Sequence, residues 1–297
     1  MKLGLGTVQF GLDYGVSNVS GRVSQTQVES ILAVAKQHDV NLLDTASQYG
    51  DSEKVLGTVA QHNDYFNVVT KTPSFLKYDV LTAMHALSLK NTFQQSILNL
   101  NRSGCYGLLV HQADDLLKPG SDYLMDALLE LKSCGRVHKI GASVYSAQQI
   151  DRLLDRYHDI DIIQLPLNVL DQRLIQSGHL KKLKERQIEI HVRSIFLQGL
   201  LLMDVTKLNT FFNPFASHLQ SYFNAITKLV LSPLQAAILF VKQIKEIDRM
   251  IVGVTSEMEF NQIIGAYNNT PNAVIDFSFA STDNEQYINP VNWRLTQ

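Results

Sequence analysis

Apolar residues gather in short runs at 3–7, 40–44, 66–71, 107–111, 140–143, 160–164, 188–193 and 250–254. The runs lack strict period-two alternation, as strands buried on both faces do, so they predict a parallel sheet covered by helices. Between them the apolar positions take helical spacing behind recognisable start signals. Ser24 and Gln27 read as a capping box, with Val28, Ile31, Leu32 and Ala35 as the stripe that follows. Ser146 with Gln149 repeats the device ahead of Ile150, Leu153, Leu154 and Tyr157, and Ser256 with Glu259 ahead of Phe260, Ile263, Ile264 and Tyr267. Ser232 and Pro233 add proline at a first helical position.

No Gly/Ser-rich or charged linker interrupts this alternation, so residues 1–297 are expected to form one domain. An open doubly wound sheet would carry a GxGxxG turn after its first strand, and none is present. Eight βα units favour a closed (β/α)8 TIM barrel. Two stretches leave the rhythm. Residues 196–231, with Phe211, Phe212 and Phe215 and a helical stripe of Leu219, Tyr222, Phe223 and Ile226, form a long insertion after the seventh strand that reads as a lid or substrate wall. Beyond Tyr267 the tail is irregular and holds Trp293, the only tryptophan.

Composition narrows the partners. Hydrophobic residues make up 45% and charged ones 18%, enough to bury a large core, and a net charge of -2 offers no basic field for nucleic acid. No polybasic stretch suits an anionic membrane, no apolar run reaches the ~20 residues that span a bilayer, and the first ten residues lack a signal-peptide pattern, so a cytoplasmic location and a small-molecule partner are expected. Cys105 and Cys134 have neither zinc nor disulfide-framework spacing and read as reduced; no histidine pair among His38, His158 and His191 has metal-ligand spacing.

The ends of the strands carry the chemistry. Asp44, Lys71 and His111 each close an apolar run, and Tyr49 follows the second run by a few residues. Ionisable groups in such places belong to the catalytic mouth of a parallel barrel. A phenol ionises near pH 10, and a nearby ammonium lowers that value, a role open to Lys71 toward Tyr49. Asp44 would keep a buried Lys71 charged, and His111 would hydrogen-bond a substrate oxygen. The set suits protonating a carbonyl oxygen while a hydride arrives at carbon. Lysine beside tyrosine and aspartate also suits a Schiff-base lyase, the competing chemistry at this point.

In these contexts the chain resembles the aldo-keto reductase family. The resemblance runs from Leu3-Gly4-Leu5-Gly6-Thr7 through Leu43-Asp44-Thr45-Ala46-Ser47-Gln48-Tyr49-Gly50, Val69-Thr70-Lys71-Thr72 and Leu109-Val110-His111. Within the family, Arg193-Ser194-Ile195-Phe196-Leu197-Gln198-Gly199-Leu200-Leu201 is similar to bacterial members found with sugar and surface-polysaccharide genes. The resemblance implies a barrel that binds NADP(H) or NAD(H) without a Rossmann domain and reduces an aldehyde, ketone or sugar carbonyl. Carried over, Tyr49 is the general acid, Lys71 lowers its pKa, Asp44 pairs with Lys71, and His111 orients the carbonyl. Ser143 and Gln164 hold the nicotinamide carboxamide, with Asn168 nearby. Ser194, Phe196, Gly199, Gly253, Thr255 and Ser256 join the cofactor contacts.

Three departures from the family stand out. Val144 replaces the asparagine that often follows the carboxamide-binding serine, so one amide hydrogen bond is lost or comes from another group. Arg193 stands where many members stack an aromatic ring on the nicotinamide; its charge opposes the oxidised ring and favours hydride donation from the reduced cofactor. Glu257, Met258 and Glu259 stand where members preferring NADPH place a basic residue, which leaves NADH open beside NADPH. Glu259 alternatively serves only its helix cap. Phe10, Tyr14, Phe75, Phe196 and Trp293 are aromatic candidates for the substrate pocket or the core. Some relatives of the family are non-catalytic nicotinamide sensors, the alternative reading that the family adds.

Overall fold

The computed structural model describes residues 2–16, 18, 20–60, 64–271 and 274–295. Strands β1 (Leu3–Gly6), β2 (Leu42–Asp44), β3 (Asn67–Lys71), β4 (Cys105–Val110), β5 (Val137–Ser143), β6 (Ile162–Pro166), β7 (Glu189–Arg193) and β8 (Arg249–Gly253) pair in chain order, and β8 returns to β1 to close the barrel. Every pairing is parallel. All eight predicted strands are present, displaced by a few residues at their ends. This is the (β/α)8 barrel.

The helices begin where their signals stand. Ser24 accepts from the Gln27 N–H at the start of Gln25–Gln37, whose Val28, Ile31, Leu32 and Ala35 are buried against the barrel. Ser232 and Gln235 form a complete capping box at Pro233–Lys242. At Ala147–Arg156 and Glu257–Asn269 the box is altered. The serine accepts as expected, but Gln149 and Glu259 reach past it, to the N–H of Tyr145 at 2.7 Å and of Thr255 at 2.6 Å.

The segment after β7 departs from the expected lid. Its first part, Leu197–Leu202, coils over the barrel mouth, but the rest supports the tail. Ala216–Lys228 is a helix with Leu219, Tyr222 and Ile226 buried. Phe212 meets Trp293 edge to face at 5.0 Å and Phe215 stacks on Tyr287 at 4.5 Å. Aromatic burial therefore closes the barrel's flank, and Trp293 belongs to that packing, its indole N–H donating to the Tyr287 carbonyl. The tail is not wholly irregular: it contains the helical turns Ser278–Ala280, Glu285–Ile288 and Pro290–Asn292. Both cysteines are free; Cys105 is buried, which pushes its thiol up to about 12, and Cys134 is exposed. Among the described residues no single helix is long and apolar enough to cross a membrane.

Candidate active site

A period of two explains how residues scattered over the sequence meet. Leu42, Val69, Leu109, Ile162 and Ile251 form a small apolar cluster separate from the main core, to which their neighbours Leu43, Val68, Leu108, Ile163 and Val252 belong. Successive strand residues face opposite ways, so the first set faces the barrel axis and the second the helices. Two residues further along, on the axial side at the C-terminal mouth, stand Asp44, Lys71, His111, Gln164 and Gly253. Gly6, Ser143 and Arg193 complete the ring, one position from each strand or its immediate end. All of them line a single cleft of about 540 Å³.

Lys71 and Asp44 are 2% and 4% exposed. Lys71 donates to both Asp44 oxygens, at 2.9 and 2.7 Å, and to the Thr45 carbonyl at 2.9 Å. Burial alone would push this ammonium down; the Asp44 carboxylate, then Tyr49, outweigh it and hold it above its ordinary value. An ammonium held in that way is a poor amine nucleophile, which counts against the Schiff-base lyase. Lys71 Nζ stands 5.1 Å from the Tyr49 ring centroid, and the same ring meets His111 edge to face at 6.0 Å. The four residues therefore form one group.

Backbone packing places Tyr49. Its N–H bonds to the Ala46 carbonyl and its own carbonyl receives the Ser52 N–H, each at 3.0 Å. Gly11 abuts this turn so closely that a Cβ there would lie 1.8 Å from the Tyr49 carbonyl oxygen. Beneath it the buried Ser52 hydroxyl lies 2.8 Å from the Thr7 carbonyl and 3.1 Å from the Thr45 hydroxyl, tying β1, β2 and the turn together.

His111 is pushed down to about 4, first by burial and then by the charge of Lys71, so its imidazole is neutral at neutral pH. Its Nδ1 is buried without a partner, and so is Gln9 Oε1 elsewhere in the cleft lining. Gln164 donates from Nε2 to Asp44 Oδ1 at 2.7 Å, an unforeseen link across 120 positions. A carboxylate cannot face the amide oxygen, so this bond also fixes the amide's orientation and leaves Oε1 as an acceptor. Arg193 lies over the Tyr145 ring with Cζ 4.3 Å from its centroid and donates to the Val144 carbonyl at 3.3 Å. At the far end of the cleft, Glu259 accepts from the N–H and hydroxyl of Thr255, at 2.6 and 3.0 Å.

A sequence model of the aldo/keto reductase family matches residues 2–274. The chain belongs to that family. Family membership makes it an oxidoreductase that uses a nicotinamide cofactor on a carbonyl compound. Comparison with curated protein sequences gives no match. Among solved structures it is similar to the aldo-keto reductase AKR11C1 from Bacillus halodurans in its holo form, at 18% identity and a TM-score of 0.72, over 94% of this chain and 90% of that one. It is also similar to a protein from Pseudomonas aeruginosa described as an aldo-keto reductase, at 21% identity and a TM-score of 0.66, over 90% of this chain and 89% of that one. At such identities these likenesses are ones of fold.

The aldo/keto reductase cleft gathers most of the residues expected of it. Asp44, Tyr49, Lys71, His111, Ser143, Gln164, Arg193, Ser194, Phe196, Gly199, Gly253, Thr255 and Glu259 all line it. Ser256 does not; its hydroxyl caps the following helix. Asn168 is buried and braces its own loop, accepting from Leu170 and Asp171 and donating to the Ser194 carbonyl. Of the aromatic candidates Tyr14 and Phe196 line the cleft, while Phe10, Phe75 and Trp293 are buried in the packing. Gln9, Asn18 and Tyr145 also line it and went unremarked in the sequence. Tyr145 carried a usable signal, because it stands two residues beyond Ser143 at the end of β5.

The cleft fits a nicotinamide dinucleotide. It has a volume of about 540 Å³, holds the unpartnered polar atoms Gln9 Oε1 and His111 Nδ1, and is lined by the glycine at position 253 beside Gln9. A Cβ on Gly253 would stand 2.8 Å from the Gln9 amide, which would have to move to admit it.

Proposed function

We propose that this protein reduces a carbonyl compound, with Tyr49 giving its proton to the carbonyl oxygen, and that the whole chain works as one barrel unit. The observation that carries this is the contact of a single phenol ring with both the buried Lys71–Asp44 pair and the neutral His111. A bound nicotinamide cofactor supplies the hydride. The Lys71 ammonium stands where it stabilises the charge left on the phenol oxygen once the proton has gone. Asp44 keeps that ammonium charged and aimed, and Gln164 pins Asp44 in turn. A neutral His111 keeps one ring nitrogen able to donate to the substrate oxygen without adding a second full charge beside Lys71. Ser143 and Gln164 would hold the carboxamide.

Glu259 favours NADH as the donor. Its carboxylate takes the Thr255 N–H, the kind of helix-start donor that otherwise receives a phosphate oxygen, and a 2′-phosphate at this end of the cleft would meet fixed negative charge. NADH is expected to bind more tightly than NADPH, and Glu259→Gln should move the ratio toward NADPH about tenfold by fluorescence titration. The substrate proposed is a keto or aldehydo sugar in the cytoplasm. The polar rim suits it, with Tyr14, Asn18 and Gln198 around the cleft, and so does the sequence likeness at 193–201.

The test is a carbonyl panel including free and nucleotide-linked keto sugars, run with wild type and Tyr49→Phe. Tyr49→Phe should still quench NADH fluorescence while turnover falls about a thousandfold. Full activity in that variant would remove Tyr49 from the reaction. Tight NADH binding by the wild type with no turnover on any carbonyl would return the non-catalytic sensor.

A further inference from the structure

Arg193 is the one charge of the mouth ring that its surroundings leave uncompensated. Lys71 has Asp44, but Arg193 has no carboxylate partner among the described residues. One face of its guanidinium rests on Tyr145; of its five N–H donors, one reaches the Val144 carbonyl at 3.3 Å and another the Ser194 hydroxyl at 3.5 Å, long contacts that use little of its capacity. The remaining donors and the other face are free to meet whatever the cleft holds.

Its neighbours define what that partner needs. Gln164 gives one of its two amide hydrogens to Asp44, and the orientation this fixes leaves Oε1 as an acceptor. Val144 is fully buried and offers no side-chain donor at all. A carboxamide brings an NH2 that Gln164 Oε1 can receive and a carbonyl oxygen that requires a donor. Ser143 has a single hydroxyl hydrogen, whereas the guanidinium has several, preorganised in one plane.

We propose that Arg193 donates to the carboxamide oxygen of the nicotinamide and, through its unpaired charge, makes the cleft select the reduced dinucleotide over the oxidised one. The inference rests on the cleft being the nicotinamide site. The reduced ring is neutral and the oxidised ring carries a positive charge. A fixed cation within a few ångströms, in a partly buried site, repels the latter strongly enough to shift a binding ratio by about tenfold. Val144 and Arg193 then belong together: the guanidinium restores the hydrogen bond that a side-chain amide at 144 would give. The oxidised product leaves faster than the reduced donor, which favours turnover in the direction of reduction.

The test is titration of wild type, Arg193→Met and Arg193→Lys with the reduced and oxidised forms of NAD(H) and NADP(H), by calorimetry and fluorescence. Wild type should bind the reduced form about tenfold more tightly than the oxidised form. Methionine keeps the length but neither charge nor donors, so its ratio should fall to within about twofold of one. Lysine keeps the charge and loses the planar donor fork, so it should retain most of the ratio while weakening both forms. A wild-type ratio near one overturns the proposal whatever the variants do. A ratio unchanged by Arg193→Met also overturns it, and if the same variant raises KM only for carbonyl compounds bearing a carboxylate or phosphate, Arg193 reads the substrate instead. Failure of wild type to bind either form of either dinucleotide refutes the nicotinamide site itself.

Discussion

The two ends of the barrel both carry buried or half-buried charge and treat it differently. At the floor, Glu189 accepts from Tyr106 at 2.6 Å, pairs with Lys139 and meets His191 Nε2 at 2.8 Å, while Lys184 pairs with Asp248 at 2.9 Å. Asp248 also receives the Ile190 N–H at 2.7 Å. The polar capacity there is almost wholly consumed within the protein, His191 Nδ1 excepted. At the mouth the Lys71–Asp44 pair is equally tight, but Arg193, His111 Nδ1, Gln9 Oε1 and Gln164 Oε1 keep unused capacity facing one cleft. The difference separates a structural network from a site: buried polar groups are costly to leave unpaired, so spare capacity concentrated at one end marks where a ligand completes the pairing.

The sharpest way to break the comparison is to remove one charge at each end. Lys71→Met strands the Asp44 carboxylate in a dry environment, so it should cost about 3–5 kcal/mol of stability by denaturant unfolding. It should also lower turnover about a thousandfold. Glu189→Gln at the floor should cost less, about 1–3 kcal/mol, because Lys139 can turn to solvent, and kcat per folded molecule should stay unchanged. Equal losses of kcat at both ends would mean that the floor network also supports the reaction.

The same pair separates by pH. Burial would raise the Glu189 carboxyl, but its hydrogen bonds to His191, Lys139 and Tyr106 outweigh this and hold it well below its usual range. A carboxyl with a depressed folded-state pKa gives stability that is complete above about pH 4.3 and is lost as the pH falls further. The stability gap between wild type and Glu189→Gln should therefore close on acidification below that point. His111 behaves differently. With its folded pKa about 4, below the unfolded value near 6.5, the unfolded chain binds the proton first, and stability declines as the pH falls between those values. His111→Asn should flatten that decline and remove an acid limb of kcat near pH 4; a limb at pH 6.5 in the wild type would contradict a buried, neutral His111.

Most of the fold was readable because two periodicities dominate it. Runs without alternation marked strands buried on both sides, and Ser24, Ser146, Ser232 and Ser256 each start a helix. The mouth ring was readable for a related reason: Asp44, Lys71, His111, Ser143, Gln164 and Arg193 each stand at the end of an apolar run. What escaped depends on direction and distance. Nothing local in the sequence says that Gln164 bonds to Asp44, or that Glu259 reaches the Thr255 N–H and not that of Ser256. The phenylalanines at 211, 212 and 215 read as a lid because their partners, Tyr287 and Trp293, lie some 70 to 80 residues downstream.

The smallest expected effect lies at the rim. Gln198 donates to the Tyr14 hydroxyl at 3.2 Å, joining the loop after β1 to the loop after β7 across the cleft. The second loop has positive φ at Ser194, Leu197, Gln198 and Gly199, and Leu197 holds that uncommon conformation while fully buried. Burial of Leu197, and not the Tyr14 bond, therefore maintains the loop's shape. The bond joins two exposed groups in competition with water, so its net worth is small. Tyr14→Phe should raise the NADH dissociation rate about two- to threefold in stopped flow and leave Tm within about 1 °C. A tenfold faster release together with a clear loss of Tm would show that the bond shapes the rim as well as bridging it, and the mouth would then depend on internal pairing much as the floor does.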